Sequence, residues 1–221
     1  MMGINNKTLN EIVHKTVKKY LKEAMSEQFS FDTLKSIPSF SGRLKYCNDT
    51  LGFRIGSGSS RTCFQLDDNR ILKLALNAKG IAQNEVEARV DYNLDSLGIR
   101  PEIFDETDYE NNWFIVCEYV LPATANDFKQ TLGISWREFC NFVKTCDCEK
   151  KGGNPPIDWD TMQEMIDDND KLWSIHDYIT NYDAPIGDLI RICNYGLSKS
   201  NGIVILDMGL DDYVLNKFYR H

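Results

Sequence analysis

The stretch FRIGSGSSRTCFQLDDNRILK, residues 53–73, decides how the rest of the chain is read. Arg54 and Ile55 lead as a strand into Gly56-Ser57-Gly58-Ser59-Ser60, and Thr62, Cys63, Phe64 and Leu66 carry the chain back. Asp67-Asp68-Asn69 reads as a turn, because short polar side chains bond to nearby backbone. Ile71-Leu72-Lys73-Leu74-Ala75 is then an apolar strand with one cation in it. Two glycines one residue apart at a hairpin tip leave N–H groups free to face a polyphosphate. They also remove the side chains that would hold it off. A lysine in an apolar strand is costly without an anionic partner, and a nucleotide phosphate is such a partner. The competing reading is an ordinary serine-rich hairpin with a lysine that snorkels to water.

Working outward, Leu44, Tyr46 and Leu51–Ile55 read as more strand material, and residues 29–38 as a connector. After Lys73, residues 77–80 make a break. Ala82, Val86, Val90, Leu94 and Leu97 then set a helix over 81–97 that carries Glu85 and Glu87. Gly98 ends it as a C-cap. Residues 102–107 and 113–120 are expected to pair antiparallel around a turn at 108–112, the second as a central strand. Apolar spacing predicts one helix around Trp136–Val143 and one or two more over Met162–Ile179, with a loop at Lys150–Pro156. Cys140, Cys146, Cys148 and His176 lack the paired spacing of a zinc knuckle, so His176 reads as a helix residue.

Near the end, residues 194–198 and 203–206 read as a strand pair, the second ending on Asp207-Met208-Gly209. A carboxylate just past an apolar strand, followed by glycine, presents an acidic ligand at a sheet edge. An asparagine on the paired strand sits beside it, and oxygen donors of this kind suit Mg2+ carried in with phosphates. The competing reading is a plain hairpin ending in a turn.

The 221 residues suit one domain, or one domain with an appendage. At 42% hydrophobic and 26% charged, the composition is that of a soluble globular protein. No apolar run reaches the length of a membrane span and none at the N-terminus reads as a signal segment. Seven irregularly spaced cysteines fit a reduced, cytoplasmic setting better than a disulfide framework. Residues 1–22 hold five lysines and one glutamate, a balance of +4, which leaves −12 on the rest of a chain whose net charge is −8. A body this acidic is a poor general binder of nucleic acid. Leu9, Ile12, Val13, Val17, Tyr20, Leu21 and Ala24 give residues 1–28 one amphipathic helix, with Thr8 and Glu11 as a capping box. That helix either packs on its own domain or docks a protein partner through residues 8–25. A membrane-surface helix is the least favoured reading, because no second anchoring signal accompanies it.

The order of strands, glycine loop, lysine strand, glutamate helix and two further strands resembles the N-terminal lobe of the protein-kinase-like fold. Asp207-Met208-Gly209 resembles the D-F-G of that fold, with Met as the packing residue, and Gly187-Asp188-Leu189 resembles the G-D-L of aminoglycoside phosphotransferases. The likeness spans residues 44–210. ILKLALNAKGIAQNEVEA and VILDMGL are also similar to small kinase-like proteins encoded by phages.

The resemblance implies an α+β, two-lobe fold: a helix at 1–28, a sheet lobe at 29–120 and a truncated helical lobe at 121–221. It implies ATP under Gly56, Ser57, Gly58, Ser59 and Ser60, and phosphates held by Lys73. Glu87 is the first choice for the lysine's partner and Glu85 the second. Glu118 to Val120 would be the hinge that reads adenine, Asn194 and Asp207 would hold Mg2+, and Asp188 would be the catalytic base. Three departures stand out. Arg61 occupies the place of the loop's third glycine. Asn194 follows Asp188 by six residues (194 − 188), one more than in H-R-D-L-x-x-x-N, and Ile186-Gly187 replace the histidine and arginine. Only 12 residues (221 − 209) follow Gly209, too few for an activation segment and substrate-binding helices. Two expectations follow: an ATP-dependent phosphotransferase, or a catalytically inactive phage virion or assembly component acting through protein contacts, in the host cytoplasm or the virion.

Overall fold

A computed structural model describes residues 29–52, 54–89, 97–182 and 184–219. The ribbon forms where the sequence puts it. Strands β1 (Arg54–Ser57), β2 (Arg61–Gln65), β3 (Arg70–Ala75) and β4 (Phe114–Glu118) make one antiparallel sheet in that spatial order. The Gly58 N–H donates to Arg61 O at 2.8 Å to close the first turn. Asp67 closes the second by accepting from the N–H groups of Asn69 and Arg70. Lys73 stands in register between Cys63 and Ile115.

The period of two divides this sheet into two unlike faces. Phe64, Leu72, Leu74, Phe114 and Val116 form an apolar cluster with Leu34 and Cys47. Arg61, Cys63, Lys73 and Ile115 share the opposite face. The apolar face is covered by α1 (Phe31–Ser36) and α2 (Phe40–Leu51), where the sequence suggested a connector and strands. The correction has a local cause. Ser30 and Ser39 accept from the N–H groups of Thr33 and Gly42 and so cap two helices. Leu44, Cys47 and Leu51 recur at helical spacing, and Gly52, at φ 77°, ends α2 just before β1.

Helix α3 (Ala78–Ala88) begins three residues earlier than expected, because the Asn77 side chain accepts from the Gly80 N–H at 3.1 Å. The later part of that expected helix, residues 90–96, lies outside the described residues. Residues 102–104 do flank β4, with Ile103 bridged to Cys117 and the Glu118 N–H donating to Glu102 O at 2.8 Å.

From β4 the chain passes directly to β5 (Leu121–Pro122), which opens a second antiparallel sheet with β6 (Tyr195–Ser198) and β7 (Gly202–Ile205). Between them run α4 (Ala125–Leu132), α5 (Trp136–Lys151), α6 (Trp159–Asp167) and α7 (Asp170–Asn181). The sequence reading missed α4 and found the others. Phe128, Phe139, Phe142, Ile175 and Tyr195 are buried together in their core. A single turn, α8 (Ile186–Leu189), and a 3-10 turn (Ile192–Asn194) precede β6. The described chain ends in α9 (Asp212–Phe218), which folds back so that Gln83 Nε2 on α3 donates to the Tyr219 hydroxyl at 3.1 Å. Among the described residues no helix is long and apolar enough to cross a membrane. The expected helix at 1–28, with its partner surface at residues 8–25, lies outside the described residues.

The loop tip is fastened to α3. A Cβ at Gly80 would stand 2.2 Å from Ser60 O and 3.1 Å from Ala75 Cα, both backbone atoms. G80A is therefore expected to cost at least about 1–3 kcal/mol of stability by overpacking, read from the midpoint of denaturant unfolding. An unchanged midpoint would mean that the tip does not rest on the helix.

Candidate functional site

Four charged side chains meet between the two sheets. Lys73, buried on β3, bonds Glu87 Oε1 and also donates from Nζ to Leu206 O at 2.6 Å. Glu87, buried on α3, receives Arg61 Nη1 on its other oxygen at 2.6 Å. Arg61 Nη2 continues to Asp207 Oδ1 at 2.5 Å. Each position has a simple cause. Lys73 and Arg61 share a sheet face, and α3 packs over that face with Glu87 turned inward while Glu85 is exposed. Asp207 arrives just beyond β7. A Cβ on Gly209 would lie 2.8 Å from Gln83 O and 3.2 Å from Arg61 Nη2, so only glycine lets this segment approach so closely.

Burial works against the charges of Lys73 and Arg61, yet Glu87 holds both well above their usual ranges, with Asp207 adding to the effect on Arg61. Burial likewise opposes ionisation of Glu87, but Lys73 and then Arg61 outweigh it and hold the carboxyl below the usual range. Asn84, fully buried, accepts from Arg61 Nη1 at 3.3 Å and donates to Asn112 O at 2.9 Å. Sequence reasoning missed Arg61, Gln83 and Asn84 as members of the cluster. The signal for Arg61 was present: it lies two residues from Cys63, the register partner of Lys73, and so on the same face.

Gly56 and Ser57 lie in the exposed strand β1, and Gly58 starts the turn. Neither glycine is demanded by the fold. Neither has a positive φ, and a Cβ would come only within 4.0 Å of Cys63 Cβ at Gly56 and 3.8 Å of Arg61 O at Gly58. Ser59 accepts from Lys79 Nζ at 3.1 Å on its hydroxyl and from Asn77 Nδ2 at 3.0 Å on its carbonyl. Ser60 is buried and its hydroxyl bonds Gln83 Oε1. The two serines thus fasten the loop to α3 and are not both turned to an open cleft.

Glu118 and Val120 lie where the chain crosses from one sheet to the other. The Glu118 carboxylate accepts from Ser198 Oγ at 3.0 and 2.9 Å and ties the crossing to β6. Val120 packs over Gly196, where a Cβ would stand 2.6 Å from Val120 Cγ2. Asp188 lies in α8, and Asn194 Nδ2 donates to Asp188 O at 3.0 Å. The extra residue between them is absorbed by the α8 turn and the 3-10 turn, which Tyr195 anchors through its hydroxyl to Leu189 O at 2.8 Å. Burial, then nearby Asp207, raises the Asp188 carboxyl above the usual aspartate range, against the pull of Arg191 at 3.5 Å. Asn194 O accepts from the Leu206 N–H at 2.8 Å, which sets this turn beside the strand end that carries Asp207.

The Mg2+ implied for Asn194 and Asp207 does not fit this donor set. Asn194 Oδ1 accepts from Cys193 Sγ at 3.7 Å, and one Asp207 oxygen is engaged by a guanidinium that also sets a positive charge beside the ion's place. Two like charges at about 4 Å repel by about 4 kcal/mol at an effective dielectric of 20, and a dication doubles that. Among the described residues no three His, Cys, Asp or Glu side chains gather as a metal-holding group. His176 instead bonds Glu149 Oε2 through Nε2 at 2.6 Å. A pocket of about 210 Å3 lies beside the cluster between α3, α7 and residues 208–211, reached by Glu87, Tyr178 and Met208, and not under the glycine loop.

The cluster makes Glu87 a pH-sensitive element. A carboxylate lowered in the folded state stabilises fully above its unfolded value of about 4.3 and loses that contribution as pH falls through the folded value. E87Q leaves two buried cations short of a partner, so about 3–5 kcal/mol should be lost near neutral pH. The variant should also lose less further stability than wild type on acidification from about pH 5 to 3. Parallel pH profiles for the two proteins in urea unfolding would place Glu87 outside the cluster.

No family model, curated protein or solved structure matches this chain.

Proposed function

We propose that this is a protein-kinase-like nucleotide-binding protein, with ATP between the glycine loop and the second sheet. The observation that carries the reading is the meeting of Lys73, Glu87 and Asp207 in one buried cluster, from β3, α3 and the end of β7. Lys73 and Asp207 lie far apart in sequence, and an ordinary hairpin with a snorkelling lysine would bring no such set together. The glycines at 56 and 58, which the fold itself does not demand, carry no side chain that would hold a polyphosphate off the exposed strand β1 and its turn. The Val120 N–H has no backbone partner among the described residues, which leaves a donor for an adenine edge in this reading. In this reading Lys73 holds phosphate oxygens, Glu87 keeps the lysine charged and aimed, and Val120 orients the base.

The geometry favours binding over rapid transfer. Arg61 occupies the aspartate that a transferring enzyme would turn toward a metal, so the output lies in protein contacts, as in an assembly or virion component. The second reading, transfer of the γ-phosphate to a hydroxyl, is favoured by one observation. Asp188, whose backbone oxygen accepts from Asn194 Nδ2 at 3.0 Å, has a carboxyl raised above the usual aspartate range by burial, and a carboxylate so tuned suits a general base.

Equilibrium dialysis against ATP tests the first reading. Wild type should bind, and K73M should bind roughly tenfold more weakly, the loss of one charge-assisted phosphate contact. No retention of nucleotide at millimolar ATP would end the reading. Labelled γ-phosphate separates the two: turnover by wild type no faster than by D188N leaves binding alone, and a clear excess establishes transfer with Asp188 as base.

A further inference from the structure

We infer that the Arg61 guanidinium stands where a divalent cation would otherwise sit at Asp207, so that a nucleoside triphosphate binds this site without Mg2+. The inference rests on the nucleotide reading above and specifies the ionic form of the ligand.

Three observations bear it. First, Arg61 is fixed from three sides, by Asn84 Oδ1 at 3.3 Å, Glu87 Oε2 at 2.6 Å and Asp207 Oδ1 at 2.5 Å, and its side chain is 9% exposed. It is the residue after the loop turn, so its reach to Asp207 is set by β2 itself. Second, the approach of Asp207 is built by packing. Gly209 lies against Gln83 and Arg61 at distances a side chain would forbid. Third, the loop side of the site carries three cations. Arg61, Lys73 and Lys79, whose Nζ lies 3.1 Å from Ser59 Oγ, balance Glu87, Asp207 and Asp188, whose carboxyl Asp207 raises (3 − 3), so an incoming anion meets no net negative charge.

Asp207 is 46% exposed while Glu87 is 6% exposed. The weaker hold on Arg61 is therefore the Asp207 end. A triphosphate entering the cleft displaces Asp207 from Nη2 and takes its place, while Nη1 stays on Glu87. Guanidinium presents several donors in a fixed plane and suits this exchange of carboxylate for phosphate oxygens. Mg2+ would have to approach the same guanidinium, whose positive charge, held in place by Glu87, repels it whether or not Asp207 is still paired.

Thermal unfolding of the full chain with ATP, in EDTA and in Mg2+, tests this. Wild type should be stabilised by ATP in EDTA at least as much as in Mg2+. D207N should keep that shift, since Arg61 then has only Glu87 and phosphate to bond. R61A should bind ATP roughly tenfold more weakly in EDTA and regain affinity when Mg2+ reaches the freed Asp207. A wild-type shift that needs Mg2+ and disappears in D207N overturns the inference and leaves nucleotide binding standing. An R61A shift equal to wild type in EDTA also overturns it. No shift in either buffer removes the nucleotide reading and the inference together. Where R61A does not fold, D207N decides: a shift kept in EDTA supports the inference and a lost one overturns it.

Discussion

A carboxylate buried between two cations constrains everything else in this chain. Glu87 can be buried and ionised only if Lys73 and Arg61 stay on its two oxygens, because a buried charge that loses a partner costs several kcal/mol. That requirement fixes the register of β2 on β3, since one residue of slip would turn Arg61 to the apolar face. It fixes how α3 lies on the sheet, with Gly80 under the loop tip and Glu87 inward. It also reaches the second sheet, because Arg61 bonds Asp207 and Lys73 bonds Leu206 O. One acid thus joins residues far apart in sequence.

The cluster is close to neutral by itself, with Lys73 and Arg61 against Glu87 and Asp207. A phosphate site of the proposed kind that relied on a bound dication would leave its aspartate uncommitted. Here the aspartate is committed to a protein cation supplied by the loop. In the proposed reading Arg61, standing where a third loop glycine is expected, changes which charge completes the site. Its bonds to Glu87 and Asp207 make the loop a strut between α3 and the end of β7. Ser60 on Gln83 and Lys79 beside Ser59 strengthen the same strut.

Much of this was legible in the residues and some was not, for physical reasons. Lys73 and Asp207 were legible because each is a charge in or just past an apolar strand, whereas Glu87 was chosen over Glu85 as the lysine's partner only through the resemblance. Arg61 was read only as a departure from a loop pattern, since its partners come from elements that sequence spacing does not relate to β2. The run Leu51–Ile55 misled because it spans the end of α2 and the start of β1, and only the positive φ of Gly52 divides them. The helix α1 is six residues long, and its cap at Ser30 was the sole local sign of it. Helix α9 is seven residues long, and its one local sign is its cap, the Asp211 side chain accepting from the Val214 N–H at 2.8 Å. The six-residue gap from Asp188 to Asn194 needed no distortion, because two short turns absorb it.

The most direct test of this arrangement is a double-mutant cycle between Arg61 and Asp207, using R61A, D207A and the double variant in equilibrium unfolding. Residues that touch across the two sheets should show a coupling of about 1 kcal/mol, reduced from a fully buried pair because Asp207 is half exposed. Strictly additive losses would mean that the loop and the Asp207 segment do not meet, and the shared site between the two sheets would not exist.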